Sequence, residues 1–208
     1  MSGEPHKDPA AWPVPPTREF ELQVDRSDRN RRLKTLQGVA LFVIMQVGWF
    51  ACVLGAAWGL PLFGPLIIVV LVILQLQFSR SWRRDLRFML LLAVAGTVID
   101  SLHLSLGWIT FKGAVLPWLA PLWITALWLQ FGAMRHALLR ILYGRWVLSA
   151  ALGAIAGPSA YLGGAALGAA AFEAPSWRAV AFLAVCWAVV LPVSSWLAWR
   201  ETPFAATR

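Results

Sequence analysis

Two ionisable side chains, Asp100 and His103, stand deep in a long apolar run, in the stretch AGTVIDSLHLSLGW from Ala95 to Trp108. On a helix Gly96, Asp100, His103 and Gly107 share one face, so two glycines bracket the two polar residues and leave room for another helix or a ligand. An ionisable group within a bilayer costs at least ~2.5–3.5 kcal/mol on insertion scales, and it therefore turns to the bundle interior, a wet cavity or a partner. The pair admits two roles. One is an intramembrane acid/base or proton-relay pair, with His103 as general base and Asp100 orienting it. The other is a pin that holds one helix to another. No third ligand accompanies them, and HExxH, Cys/His zinc spacing, Walker loops, nucleophile elbows and His-rich boxes are all missing from the sequence. Neither a metal nor a cofactor is expected.

A second polar group lies at matching depth. The stretch GAIAGPSAYLGGAALGAA carries Ser159 and Tyr161 next to Pro158. At about 1.5 Å rise per residue, Asp100 and His103 fall ~18 and ~22 Å from the basic edge of their span, and Ser159 and Tyr161 ~20 and ~22 Å from the edge of theirs. A polar pocket shared by these two spans is the expectation, with Ser159, Tyr161 and Gln46 as candidate substrate-binding residues. Gln46 and Gln130, nearer the other side, can hydrogen-bond across helices. Pro158 cannot donate its backbone hydrogen bond, so a kink or local unwinding is expected there. Gly153 with Gly157, and Ala156, Ala160, Gly164 and Gly168, form four-residue stripes along which transmembrane backbones approach closely.

The elements that must position these residues follow from composition. The 208 residues are 59% hydrophobic and 13% charged, with mean hydropathy +0.66. Runs of about 20 apolar residues are long enough to cross a bilayer as helices. The fold class is therefore all-α, a polytopic membrane protein built as a six-transmembrane-helix bundle. Spans are expected at about 38–58, 60–78, 88–108, 116–133, 146–171 and 179–199. Residues 1–37, polar and Pro-rich, read as a disordered cytoplasmic tail without the early apolar stretch of a removable signal peptide. Residues 38–200 form the bundle and 201–208 a short cytoplasmic tail.

Charge orients the bundle. The N-terminus, the 79–87 and 134–145 loops and the C-terminus hold nearly all the Lys and Arg, whereas the opposite loops hold only Lys112 and Arg178. The positive-inside rule then places both termini in the cytoplasm. The net charge of +8 has the same origin, and no basic folded module suggests nucleic acid as a partner. Of the thirteen tryptophans, seven lie near span ends as interfacial belts, while Trp49, Trp123, Trp128 and Trp187 lie deeper, packing between helices or lining a cavity. Cys52 and Cys186 read as small buried hydrophobes, with no disulfide expected. His136, beside Arg135 and Arg140, reads as an interfacial histidine or a lipid-phosphate contact. Gly64-Pro65 and Gly157-Pro158 punctuate both halves, but their flanks do not align as an inverted repeat.

In the segments QVGWFACVLGAAWG (46–59), the Asp100 stretch, PLWITALWLQF (121–131) and GAIAGPSAYLGGAALGA (153–169), the chain resembles a bacterial inner-membrane family known as domain of unknown function 2878, over residues from about 36 to 199. The family has no established activity and no defined catalytic residues to carry over. Its members are often encoded near cyclopropane-fatty-acid-synthase-like and other lipid-modifying proteins, which implies work around membrane lipid modification. Three functions are therefore expected to compete: an accessory protein or enzyme acting on or near lipid acyl chains, a small proton-coupled transporter or flippase, and a non-catalytic scaffold whose small-residue stripes bind other membrane proteins.

Overall fold

A computed structural model describes residues 18–136 and 138–200. Residues 1–17 of the expected N-terminal tail and the whole of the expected C-terminal tail, 201–208, lie outside the described residues. The chain divides after Gln37 into two units. In the first, the described residues are already helical from Arg18, the start of α1 (Arg18–Ala57), and Arg26 and Arg29 are exposed. The second unit, from Gly38, holds the rest of α1 followed by α2 (Phe63–Gln77), α3 (Trp82–Ser105), α4 (Leu122–Ala133), a short α5 (Leu138–Ile141), α6 (Trp146–Ala166) and α7 (Trp177–Arg200). Two three-residue strands, β1 (Ile109–Phe111) and β2 (Ala170–Phe172), are the exception to an otherwise helical architecture.

Four stretches are long and apolar enough to cross a membrane: Thr35–Ala57, Trp82–Ser105, Trp146–Ala166 and Trp177–Arg200. The second and fourth expected spans are shorter helices of 15 and 12 residues. Proline is the reason. Helix α2 cannot begin until the chain has passed Gly59, with its positive φ of 79°, and Pro61. The expected fourth span loses its first turns because Pro117 and Pro121 keep residues 112–121 out of helix, and α4 starts directly after Pro121. This non-helical stretch is held by Ser101, whose hydroxyl accepts the Ala120 amide at 2.9 Å, and by Trp123, whose indole donates to the Lys112 carbonyl at 2.9 Å. Pro158, by contrast, does not unwind α6, which runs through it.

The connections gather at two ends. At one, Lys112 donates to the Ala57 carbonyl at 3.1 Å through Nζ and to the Ala169 carbonyl at 2.9 Å through its backbone amide, tying the α1–α2 turn to both strands. At the other, Asp85 at the start of α3 accepts from Ser79 (2.5 Å) and Arg135 (3.3 Å) and lies 3.0 Å from His136 Nε2, while Ser195 donates to the Leu139 carbonyl at 3.0 Å. Arg80, Arg83, Arg84, Arg87, Arg135, Arg140, Arg145 and Arg200 belong to this second end, and Lys112 and Arg178 to the first. Arg135 is 3% exposed and engaged by Asp85, so the expected phosphate contact with Arg140 gives way to a buried ion pair.

The units α3–β1–α4 and α6–β2–α7 are two copies of one design. Each long helix ends in Leu-Gly, with the glycine at positive φ (Gly107 67°, Gly168 82°), and each leads into a strand ending in Phe, at Phe111 and Phe172. The caps correspond bond for bond: Gly107 N–H to Leu104 O and Trp108 N–H to His103 O in one, Gly168 N–H to Ala165 O and Ala169 N–H to Gly164 O in the other. The strands pair antiparallel about Thr110 and Ala171. In each copy a helical glycine seats a tryptophan from the next helix: a Cβ on Gly96 would lie 1.8 Å from the Trp128 ring, and one on Gly157 2.2 Å from the Trp187 ring. The two tryptophans stack on each other at 4.8 Å and 12°. The repeat is thus tandem and parallel, with both copies running in the same sense, not inverted.

Candidate functional site: a buried carboxylate behind an aromatic cavity

Asp100 is fully enclosed. Tyr161 of α6 donates its hydroxyl to both carboxylate oxygens, at 2.6 and 2.8 Å, and Trp128 of α4 donates its indole N–H to Oδ2 at 2.6 Å. One side chain therefore joins three helices. The seat exists because Gly96, one turn before Asp100, lets the Trp128 ring lie against the α3 backbone. Thr97 Oγ1 and Thr125 Oγ1, 2.8 Å apart, close the α3–α4 seam beside it. A carboxylate inside an apolar bundle must have its oxygens satisfied, and both are.

His103 goes elsewhere. Its Nδ1 lies 3.0 Å from the Ile99 carbonyl, which assigns the proton to Nδ1 and leaves Nε2 as a buried lone pair with no hydrogen-bond partner. Its ring packs edge-on against Phe182 of α7 at 4.9 Å and Trp108 at 6.5 Å. Although Asp100 and His103 share a helix face, Asp100 does not orient His103: its bonds run to α4 and α6. Ser159 is exposed and bonds to the Ile155 carbonyl of its own helix at 2.7 Å. It lies about 200° from Tyr161 around the helix, two residues at about 100° each. Gln46 is half-buried, and of the two glutamines expected to bond across helices it is Gln130 that donates to the Ile44 carbonyl, at 3.0 Å across the α1–α4 interface. Of the five expected site residues, the structure joins Asp100 to Tyr161 and sets the other three apart.

Tyr161, Trp128 and Gln130 border a cavity of about 140 Å³ between α1, α4, α6 and α7. Its other walls are apolar and rich in aromatic rings: Met45, Trp49 and Val53 from α1, Trp123, Ile124, Leu127 and Phe131 from α4, Ala160 and Gly164 from α6, Trp187 from α7, and Phe111 and Ala170 from the strands. Met45 and Val53 stand eight positions apart, or ~12 Å along the helix axis, so the space is elongated along the bundle. Trp128 was read from sequence as a deep packing or cavity tryptophan. Its role as a donor to Asp100 was not, and the signal for it is Gly96, the single glycine of α3, one turn before Asp100. Among the described residues no group of three His, Cys, Asp or Glu forms a metal site, and both cysteines are free.

Spanning-length apolar helices, a surface carrying large exposed hydrophobics such as Phe42, Val94, Val98, Ile155 and Val185, and basic residues at one end define a helical membrane protein. The family model described as Protein of unknown function (DUF2878) matches residues 38–193, and the chain belongs to that family. No curated protein and no solved structure matches it.

Proposed function

We propose that this is a six-span inner-membrane protein, with both termini cytoplasmic, that serves membrane lipid or fatty-acid modification by holding an acyl chain in the aromatic cavity. In this reading α2 and α4 complete the bundle, α4 together with the extended 112–121 stretch that precedes it. The basic end faces the cytoplasm, by the positive-inside rule. The observation that carries the function is the cavity itself: an elongated, almost wholly apolar space inside the bundle, where the donors of Tyr161, Gln130, Trp123 and Trp128 are already engaged within the protein. At about 140 Å³ such a site suits a short segment of a hydrocarbon chain, the remainder of which lies outside the cavity. Asp100 acts as a positioning residue, fixing two walls of the cavity by its bonds to Trp128 and Tyr161. Because it is enclosed and engaged on both oxygens, it suits this role better than that of a proton carrier open to water.

The test is native mass spectrometry of the full chain purified in mild detergent, joined to lipid analysis of a deletion strain. A tightly held lipid or fatty acid in the wild type, its loss in Asp100→Leu at unchanged helical content, and an altered acyl-chain profile in the deletion strain are expected. Wild-type protein that carries no chain, or a deletion strain with unaltered lipids, overturns the proposal.

A further inference from the structure

The tandem repeat explains why there is a cavity at all. Aligning the two caps sets Asp100 against Tyr161, His103 against Gly164 and Trp108 against Ala169. Aligning the two glycine-seated tryptophans sets Trp123 against Phe182. At the seam of α3 with α7, His103, Trp108 and Phe182 fill the space beside the strand with three edge-packed rings. At the matching seam of α6 with α4 the corresponding positions are Gly164, Ala169 and Trp123, and Gly164 and Trp123 line the cavity. Helices α3 and α7 pack directly in the first case, whereas the matching pair, α6 and α4, stands on either side of the cavity.

We infer that the cavity is the vacant counterpart of the His103 cluster, and that Gly164 keeps it open so that a hydrocarbon chain takes the place of the side chains that fill the α3–α7 seam. This rests on the chain-binding reading above. Gly164 is not forced to be glycine by packing or by backbone geometry. It is helical without a positive φ, and a Cβ there would meet only Val53 Cγ2, at 4.0 Å. Gly96, Gly153 and Gly157 differ in kind, since a Cβ on any of them strikes a tryptophan. Glycine in a helix interior is a poor choice for stability, so at position 164 its effect is the space it leaves. Entry is lateral, between α1 and α6: Ala160 on the rim is exposed, Met45 and Trp49 are partly so, and the Trp49 ring covers the gap by reaching Gly163, where a Cβ would lie 3.5 Å away.

The experiment uses the full chain in detergent micelles with two photoreactive probes, a diazirine-bearing palmitate and a phosphatidylcholine carrying the same acyl chain. Adducts on Leu127, inside the cavity, are compared with adducts on Val185, on the outer face. Wild type labels Leu127 with one or both probes, and the pattern tells free fatty acid from phospholipid chain. Gly164→Leu lowers the Leu127 to Val185 ratio about tenfold or more, because a chain overlapping four added carbons is displaced. Gly164→Ala lowers it less, at an equal or higher melting temperature. If wild type labels Val185 but not Leu127, the chain-binding reading itself falls. If wild type labels Leu127 and the ratio is unchanged in folded Gly164→Ala and Gly164→Leu proteins, only the assignment of Gly164 falls.

Discussion

The same substitution, Gly→Ala, is expected to have opposite signs at two positions on equivalent helices. At Gly96 the new Cβ would lie 1.8 Å from Trp128 Cδ2, against a normal carbon–carbon contact of about 3.5–4.0 Å. The indole must therefore withdraw by roughly 2 Å. That withdrawal breaks its 2.6 Å bond to Asp100 and its 4.8 Å stacking on Trp187. Overpacking costs about 1–3 kcal/mol, the lost hydrogen bond about 0.6–1.7 kcal/mol as measured between transmembrane helices, and the stacking about 0.5–1.5 kcal/mol. Helix propensity returns about 1 kcal/mol. Gly96→Ala is thus destabilising by about 1–5 kcal/mol. At Gly164, with only Val53 Cγ2 at 4.0 Å, the propensity term stands alone, and Gly164→Ala is neutral or stabilising by up to about 1 kcal/mol. Reversible unfolding in mixed micelles, followed by circular dichroism, reads both. A Gly96→Ala protein as stable as wild type refutes the seating of Trp128, and with it the account of how Asp100 is held.

Further outcomes follow from the same contacts. Gly157→Ala, whose Cβ would lie 2.2 Å from Trp187, is expected to cost about as much as Gly96→Ala if the two copies are built alike, and unfolding free energies compare them directly. Tyr161→Phe and Trp128→Phe each remove one bond to Asp100 and cost about 0.6–1.7 kcal/mol; a double mutant whose loss differs from the sum shows that they act through one carboxylate. Asp85→Asn removes the buried negative charge that faces Arg135 and costs up to about 3–5 kcal/mol, whereas Asp85→Leu combined with Arg135→Leu recovers much of the loss in the same unfolding assay. Gly64→Ala drives a Cβ to 2.2 Å from the Cys52 backbone, separates α1 from α2 and costs at least about 1–3 kcal/mol, more than Gly48→Ala, which meets only the movable end of Gln130.

Membrane class, charge asymmetry and the depth match between Asp100 and Tyr161 were legible because each depends on composition or on helical rise, which local sequence carries. The length of α4 was misread because hydropathy counts Leu116 to Pro121 as apolar without asking whether Pro117 and Pro121 permit a helix. Ser159 and Tyr161 were placed together by depth alone, and depth ignores the rotation that separates two residues two positions apart. The pairing of Asp100 with His103 failed for a related reason. Sharing a face at a spacing of three lets two side chains meet but does not oblige them to, and here the donors on α4 and α6 outcompete a ring that bonds its own helix. The repeat left a trace in Leu106-Gly107 to Phe111 and Leu167-Gly168 to Phe172. A search for inverted halves passes over it, because the copies run in the same direction.

Asp100 also couples the site to the stability of the bundle. The two side chains that satisfy it, Trp128 and Tyr161, are both cavity walls, so any occupant pressing on those walls holds the three-helix junction closed. By mass action a ligand that binds only the folded form adds RT ln(1 + [L]/Kd), about 2.7 kcal/mol at a hundredfold excess over Kd. That gain depends on walls that Asp100 keeps in place. In Asp100→Asn the amide oxygen can still accept from Trp128, but the amide NH2 faces Tyr161, whose hydroxyl must turn from donor to acceptor, so that wall loses its charge-assisted bond. Such a protein should retain its helices and yet lose the stabilisation that added palmitate gives the wild type. If palmitate stabilises Asp100→Asn and wild type equally, the carboxylate is only a pin between helices and has no part in shaping the cavity.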